Sequence, residues 1–353
     1  MKVGILTFHF AHNYGAVLQC FALTRYLESR GHEAFVIDHT IEHIKQNYKW
    51  LNIRRIIRKN IFEGLKEVLL LPRRRKRWGQ FNHFFSQVFS VRKVSDVSDL
   101  THIVVGSDQV WNTVITAGFD RFYWGNAPEI AAKRIISYAA SMGRALESID
   151  SKRMLSLLGN FANISVREND LALNLKELNL GKEVYVVPDP TLLLNKSLWE
   201  SVARTTLDPE SYVLVYQVRI SEKTNAIATE IASKMGKKIV YLSPNVAQKQ
   251  SLEVLDASPE AFLGLIKNAA FVVTSSFHGT VFSAIFEKNF LCIKLNDGCD
   301  SRSQTLLESL GLEKRFIDSL ERYEDRDIDW ESVQQRISIL QKKADDFFTS
   351  SGL

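Results

Sequence analysis

Short apolar runs alternate with polar and amphipathic segments along the whole chain. In the first half, six runs are rich in β-branched residues and each is followed by polar or turn residues: KVGILTF, EAFVID, HIVVGS, RIISYAAS, NISVRE and EVYVVPD. Such near-continuous apolar strands are typical of a parallel sheet that helices cover on both faces. Between the first two runs, GAVLQCFALTRYLESRG predicts a helix that ends at Gly31.

The second half repeats the alternation more clearly. Strands are predicted at YVLVYQV, KKIVYLS, FVVTSS and FLCIKL, and helices at SEKTNAIATEIASKMG, SPEAFLGLIKNA and VFSAIFEKN. This order predicts a Rossmann-like unit. The stretch PDPTLLLNKSLWESV loses the periodicity and predicts a hinge near residue 195. We therefore predict an α/β protein with two Rossmann-like domains, residues 1–195 and 196–353, that face a central cleft. An amphipathic helix is predicted at residues 330–348.

Composition narrows the class of protein. The 353 residues exceed one typical domain, and the apolar fraction of 45% with 24% charged residues is ordinary for a soluble globular protein. Cys20, Cys292 and Cys299 form no CxxC or Cys/His cluster, which favours a reducing compartment and argues against a structural zinc site. The first apolar run is too short for a signal peptide, and no run is long enough to span a membrane. A cytoplasmic protein is expected.

The positive charge is concentrated in residues 54–77. This segment holds ten Lys or Arg against two Glu, with apolar residues at roughly helical spacing, inside a predicted helical insertion at about residues 41–90. A basic amphipathic helix can lie on an anionic membrane, or it can pack on its own domain with a solvated charged face. Both readings stay open. Nucleic acid is not an expected partner, because no helix-turn-helix, RNA-recognition or zinc-finger signature is present.

Loops at the carboxyl ends of strands carry function in open α/β sheets. The first strand is followed by a turn and a helix start at Asn13, Tyr14 and Gly15. These residues either direct backbone N–H groups toward the cleft or form an ordinary turn in which the aromatic ring fills a gap. Asp108 and Trp111 follow a later strand in GSDQVWN. A carboxylate beside an indole suits a sugar, since one accepts hydroxyl hydrogen bonds and the other covers the ring face. Core packing of the tryptophan is the alternative.

Two further loops carry candidate anion-binding groups. Arg167 ends an apolar strand, so it needs either an internal carboxylate such as Asp189 or an anionic ligand. In TSSFHGT, residues 274–280, a helix that begins near Gly279 directs N–H groups at the loop, and His278 can bind phosphate or move a proton. A helix-capping or core histidine is the alternative.

Seven motifs resemble a known family: GILTFHFAHNYGAVLQCFAL, VVGSDQVWN, RIISYAASMG, ISVREN, VPDPTLLL, YVLVYQV and FVVTSSFHGTVFSAIF. In this order, from residue 1 to about 312, the chain resembles the polysaccharide pyruvyl transferases; only residues 40–90 follow no recognised motif. The resemblance implies a fold like that of GT-B glycosyltransferases, with a C-terminal helix that can return to the first domain. It also implies an acceptor side in the first domain and a donor side in the second.

The resemblance implies a reaction as well. A pyruvyl group would pass from phosphoenolpyruvate to two hydroxyls of a sugar in a polysaccharide or lipid-linked precursor, such as that of a capsule or exopolysaccharide, giving a cyclic ketal and phosphate. It implies donor-site roles for His278 and Arg167 and needs no metal or organic cofactor. The expected substrate-binding residues are Asn13, Tyr14, Gly15, Asp108, Trp111, Ser276, Gly279, Thr280 and Arg302.

Acceptors of this kind are commonly carried on polyprenyl diphosphate at the cytoplasmic face of the membrane, where residues 54–77 would attach the enzyme. Two other functions remain open. One is a GT-B glycosyltransferase that holds a nucleotide sugar in the same cleft, and the other is a non-catalytic membrane-surface partner with the same fold.

Overall fold

Two parallel β-sheets organise the protein in the computed structural model, which describes residues 1–51, 68–143, 150–204, 207–242, 252–254, 256–296, 300–323 and 326–353. The first sheet has the order β3-β2-β1-β4-β5-β6-β7. Its strands are β1 Lys2–Leu6, β2 Glu33–Asp38, β3 Val91–Lys93, β4 His102–Val105, β5 Arg134–Ala140, β6 Asn163–Val166 and β7 Val184–Val186. Its helices are α1 Tyr14–Ser29, α2 Glu42–Tyr48, α3 Leu71–Val88, α4 Ser151–Leu158 and α5 Asn169–Glu177.

The second sheet repeats this topology, with the order β10-β9-β8-β11-β12-β13. Its strands are β8 Tyr212–Tyr216, β9 Lys238–Leu242, β10 Leu252–Glu253, β11 Phe271–Thr274, β12 Phe290–Ile293 and β13 Phe316–Ile317. The later helices are α6 Lys196–Val202, α7 Glu222–Met235, α8 Pro259–Lys267, α9 Phe277–Ile285, α10 Asp300–Leu310 and α11 Trp330–Ser350. Short 3-10 turns lie at Pro128–Ile130, Pro190–Leu193, Glu313–Arg315 and Leu320–Arg322.

The predicted α/β architecture with two parallel sheets is confirmed. Strand order reverses between β1 and β4 in the first sheet, where Val3 pairs with His102, and between β8 and β11 in the second, where Val213 pairs with Phe271. Ligands of doubly wound sheets bind at such switch points. The first sheet ends at Val186 and the second begins at Tyr212, so the exact domain boundary near residue 195 stays a prediction.

Local sequence explains the helix ends. The Ser221 side chain accepts a hydrogen bond from the Thr224 backbone N–H at the start of α7, and Gly236 ends this helix in the left-handed conformation at φ 62°. Helix α1 is buried along most of its length, because it lies between the first sheet and the helices of the second. Its central position explains why polar residues are sparse in it.

Helix α11 returns to the first sheet, as the resemblance implied. Asp345 accepts hydrogen bonds from the Tyr26 hydroxyl and from Arg30 Nη1, the latter at 3.1 Å. The Phe348 ring stacks on Tyr138 of β5, with 4.6 Å between ring centroids. The last helix of the chain therefore completes the core of the first domain.

The basic segment is described only in part, since residues 52–67 lie outside the described ranges and their predicted helical spacing stays a prediction. Helix α3 buries Phe81 and Phe84, so it packs on its own domain through one face. Its Arg77 Nη2 donates to the His12 carbonyl at 3.0 Å, and Lys76 pairs with Asp256 at 2.6 Å. Within the described residues, no helix combines the length and the apolar character that crossing a membrane requires.

Candidate functional site

A cleft of about 250 Å³ lies where the two switch points face each other. Loops that follow β1, β4, β8 and β11 contribute to its walls, together with α2 and the start of α10. Its polar lining includes Asn13, Asp108, Arg219, Ser276, His278 and Arg302. The structure therefore brings predicted site residues from both halves of the chain into one cleft.

The N-termini of α1 and α9 meet at this cleft. Gly15 lies so close to His278 that a Cβ at residue 15 would be only 2.0 Å from His278 Nδ1. Glycine is therefore required here, because any larger residue would displace the imidazole. The two N-termini place partial positive charge from both domains at one point, which favours an anion.

The backbone N–H groups of Gly15 and Gly279, however, are engaged by capping side chains. Asn13 Oδ1 accepts from the N–H of Gly15 at 3.0 Å and of Ala16 at 3.3 Å, and Ser276 Oγ accepts from the Gly279 N–H at 3.4 Å. The expectation that these glycine N–H groups lie open to a ligand is therefore corrected. Asn13 and Ser276 act as N-caps and present the rest of their side chains to the cleft.

His278 lies inside the first turn of α9, because the helix begins at Phe277, two residues earlier than predicted. Its side chain is mostly buried yet lines the cleft. Nε2 lies 3.6 Å from Asp189 Oδ2 and has no hydrogen-bond partner among the described residues. The imidazole thus stands between the cleft and a buried carboxylate.

Asp189 is the hub of the buried polar cluster. Its Oδ2 accepts from Arg167 Nη1 at 2.6 Å and from Ser107 Oγ at 3.2 Å, while Oδ1 accepts from the Thr191 hydroxyl at 2.6 Å. Burial alone would raise the pKa of Asp189, but His278, Arg167 and Thr191 together lower it well below its usual range. The carboxylate is therefore charged and fixed in place.

Arg167 forms an ion pair inside the protein, which is one of the two alternatives that the sequence left open. Its side chain is 2% exposed and is held by Asp189, and it does not line the cleft. The expectation that Arg167 contacts the donor directly in the cleft is corrected accordingly. Its guanidinium carbon lies 4.6 Å from the Phe277 ring centroid, and the guanidinium lines a second, smaller cavity that Phe277 also borders.

Glu168, the next residue, is also buried. Its carboxylate accepts a hydrogen bond from the Ser141 hydroxyl and lies 3.9 Å from Arg167 Nε. Burial raises the pKa of Glu168 despite the opposing effects of Arg167 and Arg302.

The two predicted sugar contacts of the GSDQVWN loop, Asp108 and Trp111, lie in different surroundings. Asp108 lines the cleft, adopts a left-handed backbone with φ 74°, and accepts from the Gln109 N–H at 2.8 Å. Trp111 is fully buried, stacks on Trp124 at 5.3 Å, and donates its indole N–H to the Tyr123 carbonyl at 2.8 Å. Trp111 is therefore a core residue, and its predicted sugar contact is corrected because no part of its ring reaches the cleft.

Three further predicted contacts belong to packing. Tyr14 stacks on Phe262 at 4.6 Å and donates its hydroxyl to the Ala257 carbonyl at 2.9 Å, so it joins the two halves of the chain. A Cβ on Gly279 would lie 2.3 Å from Thr274 Oγ1. Thr280 is fully buried and donates to the Ser276 carbonyl at 3.1 Å. These residues shape the site without lining it.

Some cleft residues were missed by the sequence reading. Gln109, Arg219 and Asp300 line the cleft, and Asp300 accepts from the Asn296 N–H at 2.8 Å. Asp189 was named only as a partner for Arg167, although its position in VPDP places a carboxylate just beyond the carboxyl end of β7. In the part of the chain that the structure describes, no three His, Cys, Asp or Glu side chains are grouped to hold a metal ion.

Solved structures with GT-B-type folds align with nearly the whole chain at low identity. A proposed UDP-N-acetylglucosamine 2-epimerase from Listeria monocytogenes is 12% identical, with a TM-score of 0.50 over 99% of this chain and 90% of that one. UDP-GlcNAc 2-epimerase from Methanocaldococcus jannaschii is 14% identical, with a TM-score of 0.46 over 97% and 93% of the two chains. The Listeria monocytogenes structure, with the higher TM-score of these two, shows that the fold is of the GT-B type.

The sequence itself defines the family. The family model described as polysaccharide pyruvyl transferase matches residues 13–297, which is more than half of the chain. The chain therefore belongs to the polysaccharide pyruvyl transferase family, as the motifs indicated. No curated protein has significant sequence similarity to it.

Proposed function

We propose that this transferase moves a pyruvyl group from phosphoenolpyruvate to two hydroxyls of a sugar in a polysaccharide or lipid-linked precursor, forming a cyclic ketal and releasing phosphate. Family membership supports the pyruvyl transferase class. The observation that supports the chemistry best is the cluster at the edge of the cleft, in which Asp189 pairs with Arg167 at 2.6 Å and lies 3.6 Å from His278.

The donor fits the second-domain side of the cleft. Phosphoenolpyruvate carries a phosphate and a carboxylate, so its pocket needs fixed positive charge. Arg219 and Arg302 line this side together with Asp300, and the positive end of the α9 dipole lies there too. Guanidinium groups suit both anions because they offer planar two-point hydrogen bonding.

The proposed reaction balances without an added reagent. The C3 methylene of the donor gains a proton and becomes a methyl group, and the resulting positive C2 accepts the first sugar hydroxyl oxygen. The C2–O bond to phosphate then breaks, and the second hydroxyl oxygen closes the ketal on C2. Of the two hydroxyl protons, one replaces the proton given to C3 and the other leaves with phosphate or solvent.

His278 is the proton-transfer group of this proposal. Asp189 lies 3.6 Å from the buried side of the imidazole and supplies a counter-charge when the ring carries a second proton, while the other side of the ring borders the cleft. His278 either protonates C3 or assists phosphate departure. Arg167 acts as a positioning residue, because it fixes the Asp189 carboxylate at 2.6 Å.

The acceptor fits the first-domain side. Asp108 and Gln109 offer acceptor and donor atoms from the loop after β4, and Asn13 faces them from the loop after β1. Sugar hydroxyls pair well with such carboxylate and amide groups. Asp108 is the carboxylate that we propose to accept the hydrogen bond of a reacting hydroxyl.

The outer face of α3, which includes the exposed Arg73, Arg75 and Trp78, is suited to an enzyme whose acceptor is carried on a membrane. The run Arg73–Arg77 is wholly basic, and α3 contains no acidic residue. Large apolar side chains are exposed near this run, including Leu69 at 70% and Trp78 at 39%. Basic and aromatic side chains together favour the interface of an anionic bilayer. We propose peripheral attachment through this face at the cytoplasmic side of the membrane.

Ligand-induced stabilisation tests the function. Phosphoenolpyruvate at about 100 times its dissociation constant is expected to stabilise the protein by about 2.7 kcal/mol. Arg302→Gln should reduce this shift, and Arg336→Gln, an exposed arginine that does not line the cleft, should leave it unchanged. Stabilisation by UDP- or GDP-sugars alone would support a glycosyltransferase, and no response to any donor would support a non-catalytic partner.

A further inference from the structure

A second cavity of about 100 Å³ adjoins the cleft. Phe277 and Arg302 line both cavities and so form the wall between them. The other walls come from the segment after β6, from the end of β7 and the turn that follows it, and from helices α10 and α11. This volume is several times the roughly 10–15 Å³ that one water needs, so the cavity has room for a small ion with its hydrogen-bonding groups.

Two arginines that line this cavity carry unpartnered guanidinium nitrogens. Nε and Nη2 of Arg167 and Nε of Arg302 are buried and have no hydrogen-bond partner among the described residues. Arg167 lines this cavity and not the cleft, and its side chain is 98% buried. A buried charged donor without a partner is unfavourable, so a ligand acceptor is expected here.

The charge balance favours an anion. Lys343 of α11 joins the two arginines in lining the cavity, against the single lining carboxylate of Asp189, which is already taken up by Arg167 Nη1 and Thr191. Glu168, 3.9 Å from Arg167 Nε, does not line the cavity. The remaining walls are mainly apolar, which strengthens the attraction between the cations and a bound anion.

We propose that this cavity is a binding site for a small oxyanion of the size of phosphate, separate from the donor position in the cleft. Arg167 and Arg302 donate to it from the buried end, and Lys343 closes the solvent side. If the proposed function holds, phosphate is also the ion that the reaction releases on the far side of the Phe277 wall. Binding of the ion itself does not depend on that function.

Calorimetric titration of the full chain with inorganic phosphate at constant ionic strength tests the site. Lys343→Gln is expected to weaken phosphate binding about three- to fivefold, the range for an exposed charge. Lys342→Gln is the matched control, because Lys342 is equally exposed on the same helix but does not line the cavity. Ser309→Leu should weaken binding more than tenfold by filling the cavity.

Two measurements keep the outcome clear. If Ser309→Leu lowers the melting temperature, Thr305→Val replaces it as the variant that tests the cavity lining, because it removes only a hydroxyl. Saturating phosphoenolpyruvate should leave phosphate binding to the wild type in place, which would show that the ion site is separate from the donor position. Absence of binding at about 10 mM phosphate, equal affinity in wild type, Lys343→Gln and Ser309→Leu, or full displacement by phosphoenolpyruvate would overturn the proposal. None of these readouts requires turnover, so the proposed reaction is tested separately.

Discussion

His278 Nε2 lies 3.6 Å from Asp189 Oδ2, and the same oxygen is held by Arg167 Nη1 at 2.6 Å. The imidazole comes from the start of α9 and the carboxylate from the end of β7, so the pair joins the two halves of the chain at the cleft. The 3.6 Å separation between the imidazole and the carboxylate is longer than a hydrogen bond, so the buried, charged aspartate acts on the ring as a nearby negative charge. This pair is the basis of the first prediction.

Replacing His278 with Ala is expected to lower kcat for pyruvyl transfer by roughly 10²–10⁴, the range for loss of a general acid–base group. The fold should persist, because the ring borders a cleft and leaves the helix cap at Ser276 intact. Circular dichroism and melting temperature check the fold, and steady-state kinetics with phosphoenolpyruvate measure the loss. Turnover within a few-fold of the wild type would show that the imidazole is only structural.

Gly15→Ala is expected to impair the site without replacing a titratable side chain. The added Cβ would meet His278 Nδ1 at 2.0 Å, so the imidazole or the start of α1 must move. Because small misplacements at reacting centres are costly, kcat should fall about 100-fold. Gly79→Ala is the matched control, since a Cβ at that helical position meets no atom within 4 Å. Equal kinetics in the two variants would contradict the contact.

Trp111→Ala is expected to destabilise the protein by about 3–5 kcal/mol, as deletion of a buried aromatic side chain does. The variant that still folds should keep the wild-type KM for the acceptor, because the ring packs on Trp124 away from the cleft. Trp78→Ala, at an exposed tryptophan, should change stability little. Chemical denaturation measures the stability of both variants. A raised acceptor KM with normal stability in Trp111→Ala would instead support a contact between Trp111 and the sugar.

Acid should weaken the fold through His12. Burial, assisted by Arg77, lowers the pKa of His12 to about 4 from its ordinary 6.5. Below pH 6.5 the unfolded chain takes up this proton more readily than the folded protein, so stability falls as pH drops from about 6.5 to 4 and the loss is complete below that. For this group alone the loss is about 2 kcal/mol at pH 5.

His12→Phe, which keeps the stack on Phe81, should remove that part of the pH dependence. Denaturant unfolding at pH 7 and pH 5 measures the difference, and His83→Gln at an exposed histidine serves as the control. An unchanged pH dependence in His12→Phe would mean that the ring is not held neutral.

Attachment to anionic membrane is expected through the outer face of α3. Each Lys or Arg near the surface adds about 1 kcal/mol at low salt, and salt screens the effect. Flotation with phosphatidylglycerol vesicles should therefore carry the protein at low salt and release it at high salt. Replacing Arg73 and Arg75 with Ser should reduce flotation, whereas Lys152→Ser with Lys342→Ser, at exposed lysines on other helices, should not. Flotation unaffected by the arginine changes would refute this surface.

Much of the fold could be predicted because parallel strands buried on both faces leave a strong apolar pattern. EAFVID coincides with β2, and the Ser221 and Gly236 signals bound α7 correctly. Short edge strands such as β10 and β13, two residues each, were missed. They are too short to show a period, and partners elsewhere in the sheet decide them.

The site was predicted less completely, since neighbours along the chain do not show which side of a loop faces the cleft. Asp108 and Trp111 share one loop, yet a left-handed backbone at Asp108 turns the carboxylate toward the cleft while the indole enters the core. Likewise, the role of Asp189 depends on side chains that lie 22 and 89 residues away along the chain. Only the folded arrangement brings Arg167 and His278 to the same oxygen.

The return of α11 to the first sheet has a consequence for how this protein is made. Tyr26 and Tyr138 are synthesised early, but the aromatic and acidic partners that cover them, Phe348 and Asp345, lie in the last helix of the sequence. Asp345 is therefore synthesised 319 residues after Tyr26, and Phe348 is synthesised 210 residues after Tyr138. A ribosome-bound chain that ends before residue 330 should expose an aromatic surface that chaperones recognise, and the first domain should become protease-resistant only once residues 330–350 have left the ribosome.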